Sequence, residues 1–262
     1  MKVATLLGLM LVLSINTGAW AVDDDVMKQL VPTGRLRVGV AYAPAPTPIF
    51  VAKDAADDVH GVPLDLGNAL AKTLGVPVEI VVVTTTGELT DACRSGAIDI
   101  GFMPADDERR TRVDFSPPYF VIESTYLVAG PSVIKTLAGV DHPEVTVVGI
   151  AGSTTMRAAR RSLKNAKVVQ AASVDEAMGM MKAGIAQAFA LTHDALPVLQ
   201  KQLPGSRILD DSFQITGVAI AVHKDRPAAL AYVTDFVESA KANGIVRRAF
   251  DDAGLNGLSV AP

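Results

Sequence analysis

Short continuous runs of aliphatic and β-branched residues alternate along this chain with segments whose apolar positions recur every three or four residues. That alternation is how a parallel sheet buried between layers of helices reads in sequence. Arg35 to Val40 is a first strand. Leu66, Leu70 and Leu74 lie on one face of a helix that Gly75 can close, and the β-branched run Val78 to Val83 completes a β-α-β unit. A second helix carries Leu89, Ala92 and Cys93 on one face and ends at Gly96, before the apolar run Ala97 to Met103. The same order then returns. Val145 to Ile150 leads into Gly152-Ser153-Thr154, a turn suited to capping a helix over Met156 to Leu163. Ser173 with Glu176 predicts a capping box for a helix that turns Ala177, Met180 and Met181 inward and stops at Gly184, and Ala186 to Leu191 is the strand after it. Pro227 to Gly244 puts Leu230, Val233, Phe236, Val237 and Ala240 on one buried face, and a short helix from Ile245 to Leu255 follows. Pro117-Pro118-Tyr119 and Gly130-Pro131 punctuate the middle, so two α/β lobes of ordinary size account for most of the 262 residues.

The N-terminal stretch has another character. Lys2, the apolar run Leu6 to Leu13 and the small-x-small triplet Ala19-Trp20-Ala21 have the layout of a cleavable signal peptide over residues 1–21, with a mature chain beginning near Val22. The apolar run is too short to span a bilayer. No cysteine follows the cleavage point to take a lipid, so the expected product diffuses freely in the periplasm. Cys93 is the single cysteine, which excludes a disulfide or thiolate cluster within one chain and leaves it as a small buried hydrophobe. His60, His142, His193 and His223 never share the i, i+4 spacing of two ligands on one helical face, so no metal and no cofactor is expected. A net charge of -4 and the lack of a basic stripe with interleaved aromatics argue against a nucleic-acid partner.

A series of segments then carries a resemblance. Gly34-Arg35-Leu36-Arg37-Val38-Gly39-Val40, Gly61-Val62-Pro63-Leu64-Asp65-Leu66, Ala69 to Gly75 and Ser95-Gly96-Ala97-Ile98-Asp99 come first. Asp107-Glu108-Arg109, followed by Val113-Asp114-Phe115-Ser116-Pro117-Pro118-Tyr119, is the most specific stretch. In this order and spacing they resemble the extracellular solute-binding proteins of family 3, which serve ABC transporters of polar amino acids. The resemblance implies an α/β, two-lobed periplasmic binding protein fold of type II, with a ligand cleft between lobes joined by two hinge strands. Lobe 1 would be residues 22–119 and 217–262, and lobe 2 residues 120–216. A monomer working with a membrane permease is the implied assembly.

The resemblance also implies a site. Arg109 stands at the family's carboxylate-binding arginine, and a guanidinium offers a carboxylate two parallel N-H donors. Gly152-Ser153-Thr154 matches the family's anion-binding turn, and helix capping alone would use the same residues. The positions that hold an ammonium in amino-acid binders are Pro104 and Thr192 here, and the aromatic platforms are replaced by Pro46 and Thr86. Asp106, His193 and Asp194 lie near enough in sequence to compensate. Tyr42, Phe50 and Met103 remain as apolar walls or ordinary core. A carboxylic acid lacking the α-amino group is the leading ligand, ahead of an amino acid.

Two rival readings share the fold. A periplasmic enzyme resembling cyclohexadienyl dehydratase would need a positioned acid or base, and although Glu108, His193 or Asp194 could be nominated, none belongs to a nucleophile-base-orienter set visible in sequence. A sensing module would present its ligand to a separate receptor. The reading preferred here is a binder with no catalytic residue.

Overall fold

The structure is a computed structural model that describes residues 22–42, 47–54 and 56–262. The expected signal peptide and Pro46 lie outside the described residues. The first part of the chain forms α1 (Asp24–Leu30), β1 (Leu36–Ala41), β2 (Ala52–Lys53), β3 (Val59–His60), α2 (Val62–Leu74), β4 (Val78–Val83), α3 (Thr86–Ser95), β5 (Ile100–Pro104), α4 (Asp107–Arg110) and the long β6 (Val113–Val128). There follow α5 (Leu137–Val140), β7 (Thr146–Ile150), α6 (Thr154–Ser162), β8 (Lys167–Ala171), α7 (Val174–Lys182), β9 (Ala188–Thr192), α8 (Leu196–Gln200), β10 (Arg207–Ile208), β11 (Gln214–His223), α9 (Pro227–Ala242) and α10 (Ile245–Asp252).

The main sheet runs β4-β1-β5-β11-β6-β9-β7-β8, with β10 added beside β6. It consists of two parallel blocks, β4-β1-β5 and β9-β7-β8, joined by the antiparallel pair β11 and β6. Residues 113–124 of β6 pair with β11, while Ser124 to Val128 pair with β9, so one strand serves both blocks. Separate apolar clusters cover the two faces of each block. Burial on both faces is why β5 and β9 read as unbroken apolar runs rather than as alternating ones. The two outer strands, β4 and β8, keep exposed positions.

Local chemistry sets the boundaries. Gly75 closes α2 and Gly96 closes α3, both in the left-handed conformation that costs glycine little. The capping pair Ser173 and Glu176 forms at the start of α7. Its buried stripe is Ala177, Met178 and Met181, so Met178 takes the place expected of Met180, which is half-buried. On α9, Ala229 is buried where Leu230 was expected, and Leu230 packs at the margin of the same cluster. Pro117 and Pro118 do not interrupt β6. They fall in a bulge, where the register against β11 shifts on either side of Ala219 and the Ser116 hydroxyl accepts the Ile220 N-H at 3.1 Å.

One ion pair fastens the end of α3 to β1. Asp99 is wholly buried and accepts from the Arg37 backbone N-H at 2.8 Å, from Nε at 3.0 Å and from Nη2 at 2.6 Å, and this bonding holds the Arg37 pKa above its usual value. Removing one member of such a pair strands the other. Asp99→Ala is therefore expected to lower the unfolding free energy by about 3 kcal/mol in urea titration, with Asp99→Asn losing much less because it keeps acceptors for the backbone. Equal losses in both variants would show that the charge, and not the bonding geometry, carries the effect.

Candidate functional site

The two blocks meet where α3 and α6 begin. A methyl group built on Gly87 would lie 3.8 Å from Gly152, so the two helix starts face each other across the junction at close range. Gly152 adopts φ of +69°, a conformation that aims the chain into the Ser153 cap of α6.

Arg109 is placed by α4, whose cap is Asp106: one carboxylate oxygen accepts the Arg109 backbone N-H at 3.0 Å. Only 2% of Arg109 is exposed. Its guanidinium donates to the Pro104 carbonyl at 2.7 Å, to the Thr86 hydroxyl at 2.8 Å and, across the junction, to the Gly152 carbonyl at 3.1 Å. All three acceptors are neutral. Burial pushes the guanidinium well below its usual pKa, to about 9, and the charge of Arg157 pushes the same way, while Asp106 and Glu108 pull it back up.

Arg157 stands in the first turns of α6. It donates to the same Gly152 carbonyl at 3.0 Å, and its Nε and Nη2 reach the second oxygen of Asp106 at 2.7 and 2.5 Å. Glu108 lies 2.9 Å from its Nε. Two cations therefore converge on one peptide oxygen, and Asp106 serves the arginines of both lobes at once. Sequence reasoning noted Asp106 but missed Arg157, because nothing in the Thr154-Thr155-Met156-Arg157 segment marks that side chain as turned toward the other lobe.

The remaining expected site residues divide. Pro104 contributes its carbonyl to Arg109, and Thr86 contributes its hydroxyl rather than a platform. The Ser153 hydroxyl is committed to local capping, accepting the Met156 N-H at 3.0 Å and donating to the Ile150 carbonyl at 2.8 Å. Thr154 is buried at the first position of α6, where backbone N-H groups have no partner within the helix. Thr155 meets the hydroxyl of Ser124 on β6 at 3.1 Å, tying the turn to the shared strand. Met103 packs in the core with Leu89, Cys93 and Ile98, and Phe50 in the core between β1 and α2. Thr192 is buried at the end of β9. Two residues on, Asp194 takes a 3.4 Å hydrogen bond from Thr47 of the opposite lobe, and burial raises its carboxyl pKa against the opposing pull of the Thr192 and Thr47 hydroxyls.

Between the lobes lies a cavity of about 310 Å³, lined by Tyr42, Thr47, Thr84, Thr85, Ile150 and Ser173 among others. Tyr42 is the one expected site residue on its wall. Arg109 does not line it, although its partner Thr86 adjoins Thr85, which does. A larger hollow of about 870 Å³, by Val133, His142 and Lys182, lies at the opposite ends of the second block's strands.

Comparison with known proteins gives the same frame. The family model of the bacterial extracellular solute-binding proteins, family 3, matches residues 36–252. A glutamine-binding protein of Geobacillus stearothermophilus is 29% identical over 195 residues, 72% of each chain. A binding component of an ABC transporter from Wolinella succinogenes, solved with lysine, is 28% identical with a TM-score of 0.71, over 84% of this chain and 95% of that one. An ancestral amino acid-binding protein described as a precursor of cyclohexadienyl dehydratase is 29% identical with the same TM-score of 0.71, over 86% of this chain and 98% of that one.

A buried cation satisfied only by neutral oxygens is a poor structural strut, and an apolar side chain of similar length removes its desolvation cost. Ligand-free Arg109→Met is expected to be as stable as the wild type, or more stable by about 1 kcal/mol, in chemical denaturation. A loss above about 2 kcal/mol would place Arg109 among the residues that hold the fold.

Proposed function

The chain belongs to the bacterial extracellular solute-binding proteins, family 3, and from that premise we propose that it captures a small carboxylate-bearing solute, an amino acid or an amine-free organic acid, between its lobes for delivery to the permease of an ABC importer. The observation that carries this reading is Arg109, a guanidinium withdrawn from water with no carboxylate of its own chain bonded to it. A ligand carboxylate supplies the missing charge with two charge-assisted hydrogen bonds. The N-H groups and dipole at the start of α6, beside Thr154, supply a second set of donors from the other lobe. A solute held by both lobes favours their approach and so shifts the population toward the closed state.

The relatives support this frame, since the Geobacillus protein is named for glutamine and the Wolinella structure holds lysine. The proposed lobe boundaries, at 119/120 and 216/217, fall inside β6 and β11. There Val121 faces Gly217 and Phe120 faces Val218, so both boundaries lie at one level of the crossing pair. Export through the signal peptide over residues 1–21, a periplasmic location and a monomeric state complete the proposal. Among the described residues no helix is long and apolar enough to cross a membrane.

The choice between the two solute classes turns on Asp194. Pro104 brings no hydroxyl to an ammonium, and Thr192 brings no charge. Asp194 does carry a carboxylate, half-buried beside Thr47 and short of strong donors.

The test is a thermal-shift screen of the chain from Val22 onward against matched pairs, such as L-glutamine and L-lysine beside their deaminated analogues. A solute that binds only the folded protein raises its melting temperature. Arg109→Met is expected to abolish the shift for every carboxylate, and retention of the shift would remove Arg109 from the site. The pH dependence separates the pairs. The Asp194 carboxyl has a raised pKa, so it is ionised only above that value, and an ammonium resting on it loses its partner as pH falls through it. Amino-acid affinity is then expected to drop on acidification, an effect that Asp194→Asn abolishes, while amine-free acids hold theirs until their own carboxyl protonates. Stabilisation by amine-free acids alone would leave Asp194 outside the site.

A further inference from the structure

The Asp106, Arg157 and Gly152 contacts draw the two sides of the junction together, and they do so at the expense of the anchor. The Gly152 carbonyl takes one donor from Arg109, a donor that an incoming carboxylate would use, and a second from Arg157. Among the described residues, Arg109 is not on the wall of the cavity between the lobes, which begins on the far side of Thr85 and Ile150. What draws lobe 2 this close is the pair of Arg157 with Asp106, whose side chains are only 18% and 7% exposed, with Glu108 alongside. Asp106 is also the cap of the turn that carries Arg109, so the pull is exerted directly at the anchor.

We propose that Asp106 and Arg157 form an interlobe latch that holds an empty, self-occluded state, in which the Gly152 carbonyl occupies the place of the solute's carboxylate. Arg157 acts here as a positioning residue, through Asp106 and the Gly152 peptide, and not as part of the solute clamp. Solute then competes with the latch: apparent affinity is reduced by the fraction of molecules that are shut, and loosening the latch raises it. The latch gives the empty protein a shape distinct from both the open form and the form closed around solute. A permease contacting both lobes has that difference to read.

This inference rests on the reading of Arg109 as the anchor for its consequence, but its test uses no solute, so the two can fail separately. Asn is as good a helix cap as Asp, so Asp106→Asn removes charge while keeping α4 in place. Arg157→Met removes the other partner, and the double variant leaves neither charge stranded. Two readouts on the ligand-free protein decide the matter: the radius of gyration from X-ray scattering, and the rate at which p-hydroxyphenylglyoxal modifies Arg109, mapped by mass spectrometry. The double variant is expected to have the larger radius and to be modified at Arg109 roughly tenfold faster, the size of shift that releasing a mostly shut population produces. If either its radius or the protection of Arg109 stays at the wild-type value, the latch is overturned. A double variant that opens yet gains no melting shift from any carboxylate would keep the latch and discard the carboxylate reading.

Discussion

The pairing of β6 with β11 is the constraint from which the architecture follows. β11 pairs with β5 of one parallel block, β6 pairs with β9 of the other, and the two pair along their length, so the α/β units are joined through a ladder instead of a loose linker. A strand cannot serve both blocks and remain straight and fully paired, since each block carries its own twist. The register shifts around Ala219 and the two prolines opposite them are where that conflict is absorbed. Because the shared strands hold the blocks side by side while leaving their helix starts opposed, a junction between α3 and α6 is built into the topology. The small residues Gly87 and Gly152 then set how closely it can shut.

Charge distribution at that junction is unusual in one respect. Buried ionised groups are ordinarily paired, as Arg37 and Asp99 are near the end of α3. At the junction Asp106 pairs with the Arg157 guanidinium and accepts only the backbone N-H of Arg109, whose own guanidinium has its donors on neutral oxygens alone. The contrast between the pair within one lobe and the set across the junction is informative. The first fixes a strand to the chain that follows α3, and the second is what makes Arg109 the anchor of the proposed site. Pro104 fits this division of labour: it has no N-H to offer, but its carbonyl orients the Arg109 fork from below.

The alternating pattern of apolar runs and helical stripes was legible because both faces of each block are buried, which makes inner strands continuous and helices one-sided. Where the structure differs, as at Met178 for Met180 and Ala229 for Leu230, a neighbour one or two residues earlier on the helix is buried and the expected residue lies at the stripe's edge. The short α1 and α4 left no periodicity to read, and α4 in particular spans four residues held by the Asp106 cap. Arg109 was legible through its motif. Arg157 was not, because its meaning comes from Asp106, which lies 51 residues away in sequence and in the opposite lobe. Met103 and Phe50 were ambiguous for the opposite reason: an apolar residue beside a cleft and one beneath it read alike until the packing is known.

A binder with a permanently desolvated cation faces two requirements that conflict. The anchor must be withdrawn from water, so that a carboxylate bonded to it competes with few water molecules and binds well. Yet an empty site must not strand that cation without acceptors, since burial then costs more than the fold can offset. The Gly152 carbonyl meets the second requirement without removing the first, because a neutral oxygen at 3.1 Å satisfies a donor while leaving the charge unbalanced. It is a weaker partner than a carboxylate, and so it yields to one. The left-handed turn at Gly152, the cap at Ser153 and the reach of Arg157 to Asp106 together present that oxygen to the anchor. On the proposed reading, the same short segment supplies the acceptor when the site is empty and the N-H donors at the start of α6 when it is filled.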